Sequence, residues 1–169
     1  MQKYSAQLRV IHWLMFLCFS ALFVIGYFMT EFKQAEPWSW YALHKSLGVS
    51  VFLLLLVRWF IRFKSTLPVA AEYMSSVDEK ISKSVIHTMY ILMLSVPIGG
   101  YLMSNMAGHA VALFGLSLPT LAAESADYKE LAHDFHAYSA YTFLAVIGLH
   151  LLGVIRHHIK GNEVLRRIT

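Results

Sequence analysis

From Phe135 to Ile155 the chain reads FHAYSAYTFLAVIGLHLLGVI, with no charged side chain in the run. At about 1.5 Å per residue, such a run in a helix crosses a hydrocarbon core of roughly 30 Å. Val10 to Thr30, VIHWLMFLCFSALFVIGYFMT, is a second uncharged run of the same length. These stretches decide the fold class and are read as the last and first of four membrane spans. The second span is expected over about 40–61, where Lys45 near its start can snorkel to the interface. The third is expected over about 84–106. It contains Pro97-Ile98-Gly99-Gly100, which a membrane helix tolerates because neighbouring helices satisfy the freed carbonyl. The uncharged stretch beyond it, with Gly115 and Pro119, is too broken for a fifth span. It reads as an interfacial connector over 108–121, able to carry a short helix lying on the membrane.

Composition agrees with this reading. Of the 169 residues, 57% are hydrophobic and 14% charged, and the mean hydropathy is +0.54. One small core cannot hide that much apolar surface, so an ordinary soluble enzyme is not expected, and disorder is excluded. The single cysteine, Cys18, excludes an internal disulfide framework, a cysteine-ligated zinc or iron–sulfur site and a C-x-x-C-H haem attachment. The first span is not read as a signal peptide: its apolar run is longer than a typical h-region, and no small-x-small cleavage site follows. The expected fold is therefore all-α, a four-transmembrane-helix bundle forming a single domain over 1–169.

The basic balance does not point to nucleic acid, because basic residues of a membrane protein sort to the cytoplasmic side. With an even number of spans both termini share one side. That side holds Lys3, Arg9, Arg58, Arg62, Lys64, Lys80, Lys83, Arg156, Lys160, Arg166 and Arg167, against Lys33, Lys45 and Lys129 on the other. Both termini are therefore expected in the cytoplasm. Eleven cations and four acids leave the inner side at +7; three cations and six acids leave the outer side at −3.

Nine histidines are the chemical signal. One histidine in a span is most often interfacial or hydrogen-bonded, since ionisable groups there face the bundle interior with a partner. Here four occupy matched depths. His12 begins the first span and His150 lies near the inner end of the fourth. His44 begins the second span and His136 the fourth, both on the outer side. His136 and His150 are 14 residues apart, which leaves only about 40° between them and about 21 Å along the axis. Two haems stacked across a bilayer need this arrangement, each iron taking two axial imidazoles from different helices. Zinc would want three or four ligands converging on one point.

His87 lies at the depth of His12 and His150 and competes for the inner site; His12 and His150 are preferred because His150 is already in register with His136. His157 and His158 sit at the inner membrane exit, and His109 and His133 on the solvent side of the outer face. Gly26, Gly48, Gly148 and Gly153 lie near the four histidines, where missing side chains give a flat macrocycle room, although small residues also serve helix packing. Arg9, three residues before His12, and Lys45, beside His44, are placed to meet anionic haem propionates or lipid phosphates.

At these residues the chain resembles the bacterial cytochrome b561 family, including its superoxide oxidases. The resemblance rests on Ile11-His12-Trp13, His44-Lys45-Ser46-Leu47-Gly48, Pro97-Ile98-Gly99-Gly100, Phe114-Gly115-Leu116 with Leu118-Pro119, His136 and Gly148-Leu149-His150, and covers nearly the whole chain. It implies two b-type haems, one on His12 and His150 and one on His44 and His136, and a quinone as one redox partner.

The resulting expectation is an inner-membrane oxidoreductase that moves single electrons from an outer-side donor to ubiquinone, with superoxide as the donor the resemblance suggests. The negative outer face weighs against an anionic donor unless Lys33, Lys45 and Lys129 form a local patch amid Glu31, Glu36, Glu124, Asp127 and Glu130. The alternative is a cytochrome b subunit linking a periplasmic dehydrogenase or hydrogenase to quinone. A third reading is a structural or transport protein with interfacial histidines.

Overall fold

A computed structural model describes residues 2–29, 39–68, 75–161 and 164–169. Thr30, Glu31, Lys33, Glu36, Trp38, Glu72 and Glu163 lie outside the described residues. Four long apolar helices build the molecule: α1 (Ala6–Phe28), α2 (Trp40–Lys64), α3 (Ser76–Met106) and α4 (Lys129–Ile159). Each is long and apolar enough to cross a membrane. α3 and α4 extend beyond their uncharged segments by polar turns at the ends. Serines start three of the helices: the side chains of Ser5, Ser39 and Ser75 accept hydrogen bonds from the backbone N–H of Leu8, Ala42 and Asp78, satisfying donors that a helix start leaves free.

Neighbouring helices pack in chain order, α1 on α2, α2 on α3 and α3 on α4. Among the described residues no Cα of α1 comes within 8 Å of a Cα of α4, and the same holds for α2 and α4. Side chains bridge these wider gaps. The core is a mid-depth plug of Met15, Phe19, Leu22, Val51, Leu55, Met93 and Phe143. Phe19 of α1 meets Phe143 of α4 edge to face, with ring centres 4.9 Å apart.

A seven-residue step returns a helix to nearly the same face. His136, Phe143 and His150 therefore form one inward column, and His12, Phe19 and Gly26 another. The apolar plug separates two layers of polar chemistry. We call the end holding His12 and His150 the basic end, and the end holding His44 and His136 the connector end.

The connector is not helical. Ala112–Leu113 (β1) and Leu116–Ser117 (β2) pair antiparallel around Phe114 and Gly115, both at positive φ (48° and 93°). Two central residues of this kind make the tight turn that matches strand twist, so the expected surface helix is replaced by a hairpin. Buried Ser46 of α2 pins it, its hydroxyl donating to the Ala112 carbonyl and accepting from the Phe114 N–H. On α3, Asn105 Oδ1 accepts from the Leu121 N–H at 2.8 Å and the Tyr101 hydroxyl donates to the Pro119 carbonyl at 2.6 Å. The connector is thereby laid across the end of the bundle.

At the basic end Arg156 of α4 donates to Asp78 in the first polar turn of α3 at 2.6 Å. That hydrogen bond, helped by one from the Ser75 hydroxyl, holds the Asp78 carboxyl below its ordinary value of 3.8. A depressed carboxylate stabilises the fold above its unfolded-state pKa, and the contribution is lost as pH falls through the lowered value. Asp78→Asn is therefore expected to make the melting temperature of the detergent-purified protein less steep with pH below about 4. An acid limb identical to that of the parent protein would show that this pair does not couple to folding.

Candidate cofactor site between the helices

At the connector end His44 of α2 and His136 of α4 approach one another across the gap, ring centres 6.3 Å apart and planes at 89°. An imidazole nitrogen bonds a first-row metal at about 2 Å, and its ring centre lies about 1 Å farther, so two opposed imidazoles on one metal hold their centres about 6 Å apart. The observed spacing matches. His136 Nδ1 donates to the Val96 carbonyl at 3.0 Å, which fixes the ring and leaves Nε2 free as a metal ligand. The His44 ring lies near the Leu22 carbonyl of α1, and its buried Nδ1 lacks a hydrogen bond of regular geometry.

Glycines seat these rings by close approach. A Cβ on Gly100 of α3 would lie 2.8 Å from His136 Cε1, and one on Gly26 of α1 would lie 3.0 Å from His44 Cε1. A Cβ on Gly99 would lie 2.9 Å from the Phe135 ring. Gly99 and Gly100 after Pro97 thus let α3 press against the start of α4. Gly48 has the opposite role: nothing lies within 4 Å of the Cβ position there, and the residue lines a cavity of about 340 Å³. His44, His136, Gly100, Met29 and Met103 also line it. A cavity lined by two opposed imidazoles, glycines and apolar side chains fits a flat, metal-bearing macrocycle.

The mouth of that cavity holds Lys45, His109, Lys129, Glu130 and His133. Lys45 Nζ also donates to the Ala110 carbonyl at 3.0 Å, so it binds the connector as well as facing the cavity. His109 and His133 are exposed, as expected of solvent-side residues, and His133 Nδ1 lies 3.3 Å from Asp134.

At the basic end His12 of α1 and His150 of α4 lie close enough to act electrostatically on one another. Open space adjoins His150, since a Cβ on Gly148 or Gly153 would meet nothing within 4 Å. His87 is exposed and bonds back to the Lys83 carbonyl of its own helix at 2.7 Å. His157 is buried, whereas His158 is exposed.

Arg9, at the same end, has a buried Nε without a hydrogen-bond partner. Its Nη1 donates to the Thr169 carbonyl, which also accepts from Lys3 Nζ at 3.2 Å. Trp13 Nε1 donates to the neighbouring Ile168 carbonyl at 3.1 Å. The arginine whose charge is felt at both His12 and His150 is Arg58 of α2. Sequence reading counts it only toward membrane orientation. The signal that could have found it is the 14-residue step from His44, the same step that separates His136 from His150.

Four helices long and apolar enough to span a membrane, with a cavity between them that His44 and His136 line, define the class as a helical membrane protein with room for a flat group at one end. Residues 3–169 match the family model for prokaryotic cytochrome b561, and the chain belongs to that family. It is similar to cytochrome b561 homolog 2 of Escherichia coli (strain K12), 24% identical over 171 residues, which span 99% of this chain and 91% of that protein. The protein is thus a multi-pass membrane b-type cytochrome that binds haem b and acts in electron transfer.

Proposed function

We propose that the protein carries two haems b, one between His12 and His150 and one between His44 and His136, and passes single electrons across the bacterial inner membrane. The observation that carries this reading is the spacing of His44 and His136, with ring centres 6.3 Å apart, together with the seven-residue column on α4 that carries His150 to the other end of the bundle. Haem b held by such imidazole pairs would supply one-electron transfer. The chain's own part is to orient the imidazoles through contacts such as His136 to Val96, and to keep water out between the layers with Phe19, Leu55 and Phe143. The basic end faces the cytoplasm, in keeping with its excess of Lys and Arg.

The donor is an outer-side reductant and the acceptor is ubiquinone. Superoxide suits the connector end in one respect: Lys45 and Lys129 both line the cavity with Glu130 as the one acid among its lining residues, so cations outnumber acids there on a face that is negative overall. In the balanced reaction two superoxide anions each lose one electron and leave as dioxygen, while ubiquinone gains two electrons and two protons. Lys129→Glu is expected to slow superoxide-driven haem reduction by about threefold to tenfold at low salt and to weaken its ionic-strength dependence. Rates equal to those of the parent protein would remove steering by this residue.

The reading as a whole is tested by a pyridine haemochrome count and a reduced-minus-oxidised spectrum on detergent-purified protein. Two b-type haems per chain support it. One haem, or none after haem-supplemented expression, overturns it.

A further inference from the structure

Arg58 is a half-buried residue near the basic end of α2 whose charge acts on both His12 and His150. It lies seven residues beyond Val51 and 14 beyond His44 on α2, so it shares the face that buries Val51 and presents His44 to the gap. Its Nε donates to the Tyr90 hydroxyl of α3 at 3.2 Å. Tyr90 is itself held in place, stacked on Trp59 with ring centres 6.3 Å apart and covered by the Arg62 guanidinium at 5.8 Å. The far edge of Arg58 is different: Nη1 is buried and has no hydrogen-bond partner. Among the described residues no carboxylate pairs with it, since Asp78 is taken by Arg156 and Glu79 by Lys83.

A guanidinium always carries its charge, and burying it unpaired is costly. An anchored guanidinium with one free, buried edge therefore calls for an anion, and a planar carboxylate is the group its fork matches best. We propose that the Nη1 edge of Arg58 binds a carboxylate side arm of the haem held between His12 and His150. This inference rests on the two-haem reading above. It gives the basic-end haem an orientation, with a carboxylate directed toward α2 and α3, and it gives that haem a counter-charge. Loss of the positive charge favours the more positive, oxidised centre, so the midpoint potential of that haem falls.

The test compares the parent protein, R58Q and R58K, each loaded with haem b or with its dimethyl ester, whose side arms carry no carboxylate. Midpoints are read by spectroelectrochemical titration, with the two haems assigned by single-haem histidine variants. With natural haem, R58Q should lower the basic-end midpoint by about 59 mV, a tenfold change in a one-electron equilibrium, and leave the connector-end midpoint unchanged. With the ester the effect of R58Q should shrink to less than a third. Equal shifts with acid and ester, or no shift in a protein holding both haems, would overturn the carboxylate contact while leaving the two-haem reading intact. A parent protein holding fewer than two haems overturns both. If R58Q does not load, R58K decides: it should bind the natural haem more weakly than the parent at the basic end, yet match the parent with the ester. Equal weakening with both forms overturns the contact.

Discussion

Alanine at His136 should halve the haem content, from two haems per chain to one, and remove the low-spin signal of the connector-end centre. The expectation follows from how little else could ligate a metal deep in the cavity: besides the two imidazoles its lining is glycines, apolar side chains, Tyr41, Tyr101 and Ser104, and Lys45, Lys129, Glu130, His109 and His133 sit at the mouth. Without the His136 ring, the Val96 carbonyl also loses its side-chain donor. His150→Ala should give the complementary result, loss of the basic-end signal and retention of the other. The Phe19–Leu55–Phe143 plug between the layers keeps the two losses independent, since neither histidine contributes to the apolar core. A pyridine haemochrome count on each variant, with helical content checked by circular dichroism, makes the measurement. Two haems remaining in His136→Ala would assign the ligand elsewhere.

The second large effect is expected from a single methyl group. Gly100→Ala would place a carbon 2.8 Å from His136 Cε1 and 3.0 Å from its Nδ1. In an unconstrained helix the same change is favourable by about 1 kcal/mol. Here the ring cannot simply swing aside, because Nδ1 is tied to Val96 on the same helix as Gly100. Overpacking of this kind costs about 1–3 kcal/mol. Displacing the ring also gives up the Val96 hydrogen bond, worth about 1 kcal/mol. Connector-end haem affinity should fall by about tenfold or more, since each step of about 1.4 kcal/mol is a factor of ten. Gly148→Ala is the matched control, as its Cβ position is open, and it should leave both haems in place. The comparison is made by titrating haem into protein expressed under haem limitation. Equal affinities for the two variants would remove the seating role of Gly100.

The surface connector corrects a reasonable expectation for a physical reason. Gly115 and Pro119 argue against a spanning helix but do not say what replaces it. The hairpin depends on Phe114 adopting positive φ, which is uncommon for a bulky residue. It is held there by tertiary contacts, above all the Ser46 hydroxyl, which comes from α2, on the far side of the whole third span in the chain. Local propensity had no access to that bond.

What the amino-acid sequence determined alone was whatever depends on local periodicity and on the cost of charge in hydrocarbon. Uncharged runs located three of the four spans, and a run with cations only toward its two ends, Lys45 and Arg58, located the other, because a charged group in the bilayer is expensive wherever the helices pack. The 14-residue step from His136 to His150 put two imidazoles on one face, because helix geometry relates residues on one segment without reference to any other. The tertiary structure decided everything that requires two segments to meet. It set the wide gaps between α1 and α4 and between α2 and α4, the 6.3 Å spacing of His44 and His136, and the Val96 bond that orients one ring. It pressed Gly100 against that ring, engaged Arg9 with Thr169, and left one edge of Arg58 buried without a hydrogen-bond partner. These contacts join residues far apart in the chain, and their geometry is fixed by how the helices pack against one another, which no single helix can encode.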